Sequence, residues 1–151
     1  MHDTTSIPGY RIIIAGGRDF GDYDHLEIAL DSHLAGLKPV LLITGVTMLE
    51  YEHMVKRAKD RKEKLLGADY LAWQYALARN LPMRGVAADW DRLGKAAGPI
   101  RNRAMGQLAI SGPGGEKAAY LIAFWDRKSP GTRDMIAQAE ACDIKTMKEY
   151  Y

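Results

Sequence analysis

The chain has 151 residues, of which 47% are hydrophobic and 26% are charged. This composition fits one globular domain, and it excludes a disordered tail, a collagen-like repeat and a disulfide-stapled miniprotein. The formal net charge of +2 argues against nucleic acid as a partner, and the sequence has no apolar run near the ~20 residues that cross a bilayer, which argues against a membrane partner.

The first nine residues predict a flexible leader. Residues 1–9 have neither a basic n-region nor an apolar h-region, so they predict no secretory signal. The single cysteine, Cys142, cannot form an internal disulfide and has no neighbours in a metal-binding pattern. We therefore expect a cytoplasmic protein with a single domain over residues 10–151.

Short apolar runs alternate with amphipathic segments along this domain. The runs predict strands at 11–15, 40–43, 83–88, 119–125 and 144–147. Helical spacing predicts helices at 22–37, 68–80, 99–109 and 132–141. Strands that are apolar throughout are typical of sheets covered on both faces. The pattern therefore predicts a Rossmann-like three-layer α/β sandwich on a mostly parallel five-stranded sheet, with 11–15 inside the sheet.

Residues 46–66 depart from this alternation. They are rich in charge and in helix formers and lack Gly and Pro, so they predict an exposed helix of ~20 residues, about 30 Å long. A solvated face or a subunit contact is one interpretation; a lid over a ligand or a basic patch for nucleic acid is the other. An overhanging helix with scattered apolar residues favours a homo-oligomer, with this segment beside both the interface and the mouth of a pocket.

Glycines and polar residues collect at the carboxyl ends of the predicted strands, where parallel sheets bind ligands. They are Gly16, Gly17, Arg18 and Asp19; Thr44 and Gly45; Asp69; Asp89 and Trp90; and Gly131, Thr132, Arg133 and Asp134. Glycine lets the backbone approach a phosphate, and a helix start supplies free N–H groups. Each turn alone also fits a structural role, but together they predict an anion site.

Three arginines strengthen this prediction. Arg101 and Arg133 fall in predicted first turns of helices, where a cation faces the positive end of the helix dipole, and Arg18 lies in the first strand-end loop. An anionic ligand would reverse that cost, because Arg and helix N–H groups together form a phosphate site. The alternative is that these side chains fold back onto neighbouring aspartates.

The aspartates and tryptophans at the strand ends have two readings as well. Asp19, Asp69 and Asp89 would accept from ribose hydroxyls or polarise the edge of a base. Trp90 or Trp125 would stack on a base, although tryptophans in such proteins more often belong to the core.

Several catalytic patterns are absent from the sequence. The four histidines (His2, His25, His33 and His53) fall outside the strand-end loops, which argues against a His-based triad and a His-ligated metal site. The Walker pattern and the Gly-x-Gly-x-x-Gly fingerprint are also absent, which argues against a P-loop NTPase and a standard dehydrogenase. We therefore expect neither a metal nor a cofactor.

Several strings resemble the YspA-type, YpsA-related branch of the SLOG superfamily. They are Ala-Gly-Gly-Arg-Asp-Phe at 15–20, Gly-Ala-Asp at 67–69, Ala-Asp-Trp-Asp-Arg-Leu-Gly-Lys-Ala-Ala-Gly-Pro-Ile-Arg-Asn at 88–102, Ala-Met at 104–105 and Gly-Thr-Arg-Asp-Met at 131–135. The string at 88–102 is the most specific of them. The resemblance spans nearly the whole chain and implies a Rossmann-like fold with a pocket for nucleotides or nucleotide-derived ligands.

The relatives implied by this resemblance include the Lonely Guy phosphoribohydrolases, which cleave the base–ribose bond of a nucleoside monophosphate. They also include domains thought to sense or process nucleotide signals in prokaryotic and phage conflict systems. Lonely Guy enzymes carry a Pro-Gly-Gly-x-Gly-Thr-x-x-Glu loop with a catalytic Glu. Here Met135 stands at that position, with Asp134 as the adjacent substitute, and the insertion at 46–66 is a second departure.

Strand-end chemistry and the resemblance together nominate a set of ligand-binding residues. They are Gly16, Gly17, Arg18, Asp19, Thr44, Gly45, Asp69, Asp89, Trp90, Gly98, Arg101, Asn102, Gly131, Thr132 and Arg133. The catalytic candidates are Asp89, Arg101 and Asp134.

The leading hypothesis is a nucleotide-binding sensor or sequestering protein. The alternative is a nucleotide N-glycosidase, in which a carboxylate stabilises an oxocarbenium-like transition state and arginines hold the phosphate. A third possibility is a nucleic-acid-associated protein that uses the basic inserted helix.

Overall fold

The computed structural model describes residues 9–151, so the predicted leader lies outside the described residues except for Gly9. Five strands form one parallel sheet in the order β3-β2-β1-β4-β5. Their bounds are β1 Tyr10–Gly16, β2 Val40–Thr44, β3 Met83–Gly85, β4 Ala119–Trp125 and β5 Lys145–Tyr150. The predicted three-layer α/β architecture is confirmed, and the sheet is parallel throughout.

The central strand β1 explains why the apolar runs lack alternation. Ile12, Ile13 and Ile14 are all fully buried. Successive side chains point to opposite faces of a sheet, so Ile12 and Ile14 join one core cluster while Ile13 joins the other. A strand with helices on both faces must be apolar at every position.

Residues 9–151 contain six α-helices, four of which cover the sheet. Their bounds are α1 Tyr23–Leu34, α2 Met48–Arg61, α3 Ala68–Ala78, α4 Trp90–Leu93, α5 Ala97–Ile110 and α6 Pro130–Ala141. α1 and α3 pack on one face of the sheet, and α5 and α6 pack on the other. Among residues 9–151, no helix is both long enough and apolar enough to cross a membrane.

Several predicted boundaries are wrong. β3 ends at Gly85 rather than at 88, because a loop leads from it into the short helix α4, which the apolar periodicity did not reveal. α5 begins at Ala97, two residues before the predicted start, so Arg101 lies beyond the first turn of the helix. β5 runs on to Tyr150, because its backbone pairs with β4 as far as Trp125.

The inserted segment forms a shorter helix than predicted. A capping box at Thr47 starts α2, and Lys62 in the left-handed conformation (φ 54°) ends it after 14 residues. At 1.5 Å per residue α2 is about 21 Å long, not 30 Å. None of its residues is buried, which confirms the prediction of an exposed helix.

The sheet order creates a crevice between β1 and β4. After β1 the chain adds β2 and β3 on one side of that strand. It then returns across the sheet and adds β4 and β5 on the other side of β1. The connections that leave β1 and β4 therefore diverge to opposite faces of the sheet, and open α/β sheets bind ligands at such a switch point. This crevice lies at the carboxyl edge, where the predicted site residues collect.

Candidate functional site

Two adjoining cavities lie at the carboxyl edge of the sheet. The first, here the α2 cavity, has a volume of about 720 Å³ and is lined by α2, the residues that follow it and the start of α3. The second, the α6 cavity, has a volume of about 670 Å³ and lies between α5 and the start of α6. Five of the lining residues are shared by the two cavities: Gly16, Arg18, Asp69, Trp90 and Arg101. The two cavities therefore form one continuous cleft.

Most of the predicted site residues line this cleft. They are Gly16, Gly17, Arg18, Asp19, Gly45, Asp69, Trp90, Gly98, Arg101, Asn102, Gly131, Thr132 and Asp134. Thr44, Asp89 and Arg133 line neither cavity.

Arg101 connects α5 to the end of β2 within the cleft. Its Nη1 donates to the carbonyl of Gly45, at the end of β2, and its Nε donates to Oδ1 of Asn102 at 3.1 Å. A Cβ at position 45 would lie 2.7 Å from Nη1 of Arg101, so only glycine allows this approach. The Arg101 guanidinium thus lines the cleft, and among residues 9–151 it has no acidic hydrogen-bond partner.

Asp69 lies beside Arg101, and its carboxylate contacts the Thr44 hydroxyl. The Thr44 hydroxyl is buried and lies 3.1 Å from both Oδ1 of Asp69 and the carbonyl oxygen of Ile14. Burial raises the pKa of Asp69, although the Arg101 guanidinium and the Thr44 hydroxyl oppose this shift. Thr44 therefore acts on the site by orienting Asp69 rather than by touching a ligand.

Trp90 and Arg18 form one wall shared by both cavities. The Arg18 guanidinium carbon lies 5.4 Å from the centroid of the Trp90 ring, within the range of a cation–π contact. Trp90 is 43% exposed and packs over Gly98, where a Cβ would lie 3.2 Å from the ring. Trp90 is therefore available to a ligand, whereas Trp73 is a core residue.

The start of α6 forms the far end of the α6 cavity. Nδ2 of Asn102 donates to the carbonyl of Gly131 at 3.2 Å and to Oδ2 of Asp134 at 3.0 Å, so α5 positions the start of α6. Gly131 has open space where a Cβ would project. Met135, at the position where the resemblance puts a catalytic Glu, is 1% exposed and belongs to the apolar core.

Asp89 does not reach the cleft. It is the N-cap of α4, where it accepts from the Arg92 backbone N–H at 3.3 Å and from Arg92 Nε at 2.8 Å. The bonds to Arg92 lower the pKa of Asp89. The Asp89 carboxylate therefore has a local structural role: it caps α4 at the exposed surface, which explains why it lies at the end of the loop that leads into α4.

Arg133 also points away from the cleft. Its guanidinium carbon lies 5.6 Å from the Trp125 ring centroid, and its Nη2 donates to the Arg127 carbonyl at 3.2 Å. The side chain is therefore engaged by residues that precede α6. Of the three arginines that the sequence indicated, Arg18 and Arg101 line the cleft and Arg133 does not.

Tyr151 is a neighbour of the site that sequence reasoning missed. Its hydroxyl donates to Oδ1 of Asp19 at 2.8 Å and would lie 2.0 Å from a Cβ at Gly17. The bond to Asp19 adds to the effect of burial, and together they raise the pKa of Tyr151. No local pattern could have revealed a contact between the first strand-end loop and a residue so distant in sequence.

The described residues 9–151 contain no group of three or more His, Cys, Asp or Glu side chains placed to hold a metal ion. His25 and His33 both contact the carboxylate of Glu149, at 3.1 and 2.9 Å, and neither lines the cleft. The polar groups that line the cleft include arginine guanidinium groups, carboxylates and the backbone of glycine residues.

Comparison with known proteins gives no independent assignment. No family model, no curated protein and no solved structure matches this chain.

Proposed function

We propose that this protein binds a nucleotide or a nucleotide-derived ligand in the cleft at the carboxyl edge of its sheet and serves as a sensor or a sequestering protein. The observation that carries the proposal is that Arg18 and Arg101, which come from separate elements, both line the cleft at the β1–β4 switch point. Open α/β sheets bind ligands at such a switch point, and arginines bind phosphates through charge-assisted hydrogen bonds. The motif resemblance to the SLOG superfamily supports the same ligand class.

The remaining groups complement the other parts of a nucleotide. Asp69 accepts from ribose hydroxyls, and the exposed Trp90 ring offers a stacking surface for a base. Each cavity lies within the ~300–1,000 Å³ of ordinary small-molecule sites. The cleft therefore provides an anion site, hydroxyl acceptors and an aromatic face within one concave region.

An N-glycosidase is the second candidate, because Asp69 and Asp134 both line the cleft. A carboxylate close to the ribose would stabilise the oxocarbenium-like transition state, while Arg101 would hold the phosphate. The burial of Met135 in the core leaves Asp134 as the acidic residue of α6 that lines the cleft. Binding without turnover remains the first proposal, because the side chain at the expected Glu position is apolar.

The experiment that tests these proposals is mass spectrometry of small molecules released when the purified protein is denatured. We expect an ion of nucleotide mass. Incubation with a panel of nucleotides, followed by chromatography of free bases, separates the two candidates: unchanged nucleotides support binding, and a released base supports the glycosidase. A protein that releases no nucleotide and binds none by calorimetry contradicts both.

We also propose that the protein forms a homo-oligomer through the outer surface of α2. Leu49, on this otherwise charged helix, is 62% exposed. Replacing Leu49 with Glu would place a charge in such an interface, so we expect light scattering to show a smaller particle for this variant than for the wild type. A monomer mass for both proteins at high micromolar concentration contradicts the proposal.

A further inference from the structure

The inserted segment contributes a group of cations to the α2 cavity. The α2 residues that line this cavity have the spacing i, i+4, i+7, i+8 and i+11, so they share one face of the helix: Glu50, Met54, Arg57, Ala58 and Arg61. Lys64, which follows the helix, lines the same cavity. Arg18 and Arg101 reach this cavity from other elements, so cations surround it from at least three parts of the chain.

Within the described residues 9–151, the inserted segment's cations that line the α2 cavity have no side-chain partners. Among the described residues, the side chains of Arg57, Arg61 and Lys64 form neither a hydrogen bond nor a salt bridge. By contrast, Lys56, on a different side of α2, pairs with Asp60 at 3.0 Å. Unpaired cations gathered around a concave surface create a positive potential, which an anionic ligand relieves.

The two cavities differ in charge. Five cations and three carboxylates line the α2 cavity, and three cations and four carboxylates line the α6 cavity. Of the three carboxylates in the α2 cavity, that of Glu50 accepts from Thr47 N at 2.9 Å and from Thr47 Oγ1 at 3.1 Å, which fixes it at the start of the helix. Anionic groups therefore favour the α2 cavity, while hydroxyl and amino donors favour the α6 cavity.

We infer that α2 and the residues after it form a second anion subsite, so that the ligand is a nucleotide with more than one phosphate group. Its phosphates lie towards Arg57, Arg61 and Lys64, and its ribose and base lie towards the start of α6. This inference rests on the proposed function and specifies its ligand class. Nucleoside polyphosphates and dinucleotides share the required chemistry.

Base-free anions test the subsite without knowledge of the base. Calorimetry at low ionic strength compares inorganic phosphate with tripolyphosphate on three proteins: the wild type, the double variant Arg57→Gln/Arg61→Gln and the matched control Lys56→Gln/Lys59→Gln. The control removes the same charge from the same helix at positions that do not line the α2 cavity. The four substituted residues are exposed, so both double variants are expected to fold.

We expect the wild type to bind tripolyphosphate at least about tenfold more tightly than phosphate, because several charge-assisted contacts replace one. Arg57→Gln/Arg61→Gln should lose about tenfold in tripolyphosphate affinity and the control about twofold or less. Arg57→Lys/Arg61→Lys, which keeps the charge, should retain most of the binding. Equal affinity of the wild type for the two anions, or equal losses in both double variants, overturns the inference.

Displacement of bound tripolyphosphate then distinguishes this inference from the proposed function. Displacement by ATP or GTP identifies a nucleoside polyphosphate, and displacement by NAD identifies a dinucleotide. If tripolyphosphate binds through α2 but none of these compounds displaces it, and the denatured protein releases no nucleotide, the anion subsite stands and the proposed nucleotide function fails.

Discussion

The guanidinium of Arg101 donates to the backbone carbonyl of Gly45 and so connects α5 to the end of β2. These residues are 56 positions apart in the sequence, and the contact depends on both of them. The missing Cβ of Gly45 leaves room for the guanidinium, and the guanidinium satisfies a carbonyl at the rim of the cleft. Held by this contact, Arg101 lines both cavities of the cleft.

Replacing Arg101 with Ala should weaken binding of a nucleoside monophosphate by ~1.5–3 kcal/mol, the scale of a charge-assisted hydrogen bond. The matched unphosphorylated nucleoside should lose much less. Arg133→Ala is the control, because Arg133 lines neither cavity. Titration calorimetry measures the affinity of each variant for the nucleotide and for the nucleoside. Equal losses for the two ligands in Arg101→Ala would contradict a contact between Arg101 and the phosphate.

Replacing Asp69 with Asn should change how stability depends on pH in the absence of ligand. Burial raises the pKa of Asp69 above 3.8, so the folded chain binds this proton more tightly than the unfolded chain. The Asp69 contribution to the free energy of unfolding therefore falls as pH rises above 3.8 through the pKa of the folded state. We expect Asp69→Asn to remove this loss, as measured by urea unfolding at several pH values.

Asp126 provides a control of opposite sign for that experiment. The backbone N–H groups of Ser129 and Lys128 donate to its Oδ1, and these bonds lower the pKa of Asp126. Its stabilising contribution is present above 3.8 and is lost as pH falls through the lowered pKa. Asp126→Asn should therefore reduce stability at neutral pH. The same direction of change for both variants would contradict the assignment for Asp69.

Two glycines of the cleft should respond differently to Ala. A Cβ at Gly16 would lie 2.6 Å from both Ala68 Cβ and the Phe124 carbonyl oxygen, so we expect Gly16→Ala to destabilise the fold by ~1–3 kcal/mol. A Cβ at Gly131 would meet nothing within 4 Å. We expect Gly131→Ala to fold normally and to weaken ligand binding through the methyl group it adds to the cavity wall. Thermal melts and calorimetry on both variants check this contrast, which unaltered binding by Gly131→Ala would contradict.

Arg11 should be a determinant of stability rather than of binding. It is fully buried near the amino end of β1, and it donates to the carbonyls of Ala109 at 2.8 Å, Pro113 at 2.9 Å and Gly115 at 3.1 Å. Arg11→Met leaves these carbonyls without that donor, so we expect a loss of about 3 kcal/mol in the free energy of unfolding. The exposed Arg103→Met should change it by less than about 0.5 kcal/mol. Ligand affinity measured below the melting temperature should be unchanged in both.

Much of the fold could be predicted because its signals are local. The bounds of β4 coincide with the apolar run from Ala119 to Trp125, since a strand buried on both faces must be apolar over its whole length. The start of β2 follows Pro39, and Gly36 with a positive φ follows the end of α1. By contrast, the length of α2 was overestimated, because its end depends on the backbone conformation of Lys62 and not on a Gly or Pro.

The sequence by itself determined the order of the strands and of the longer helices, the mostly parallel sheet and the glycine-bearing loops at its carboxyl edge, because hydrophobic period and turn chemistry act between near neighbours. Only the tertiary structure decided which side chains meet there: that Arg101 lies over Gly45, that Asp89 instead caps α4, and that one face of α2 turns its cations towards the cleft. These outcomes depend on how each helix is rotated and docked against the sheet. That rotation is set by packing between residues far apart in sequence, where spacing along the chain carries no information.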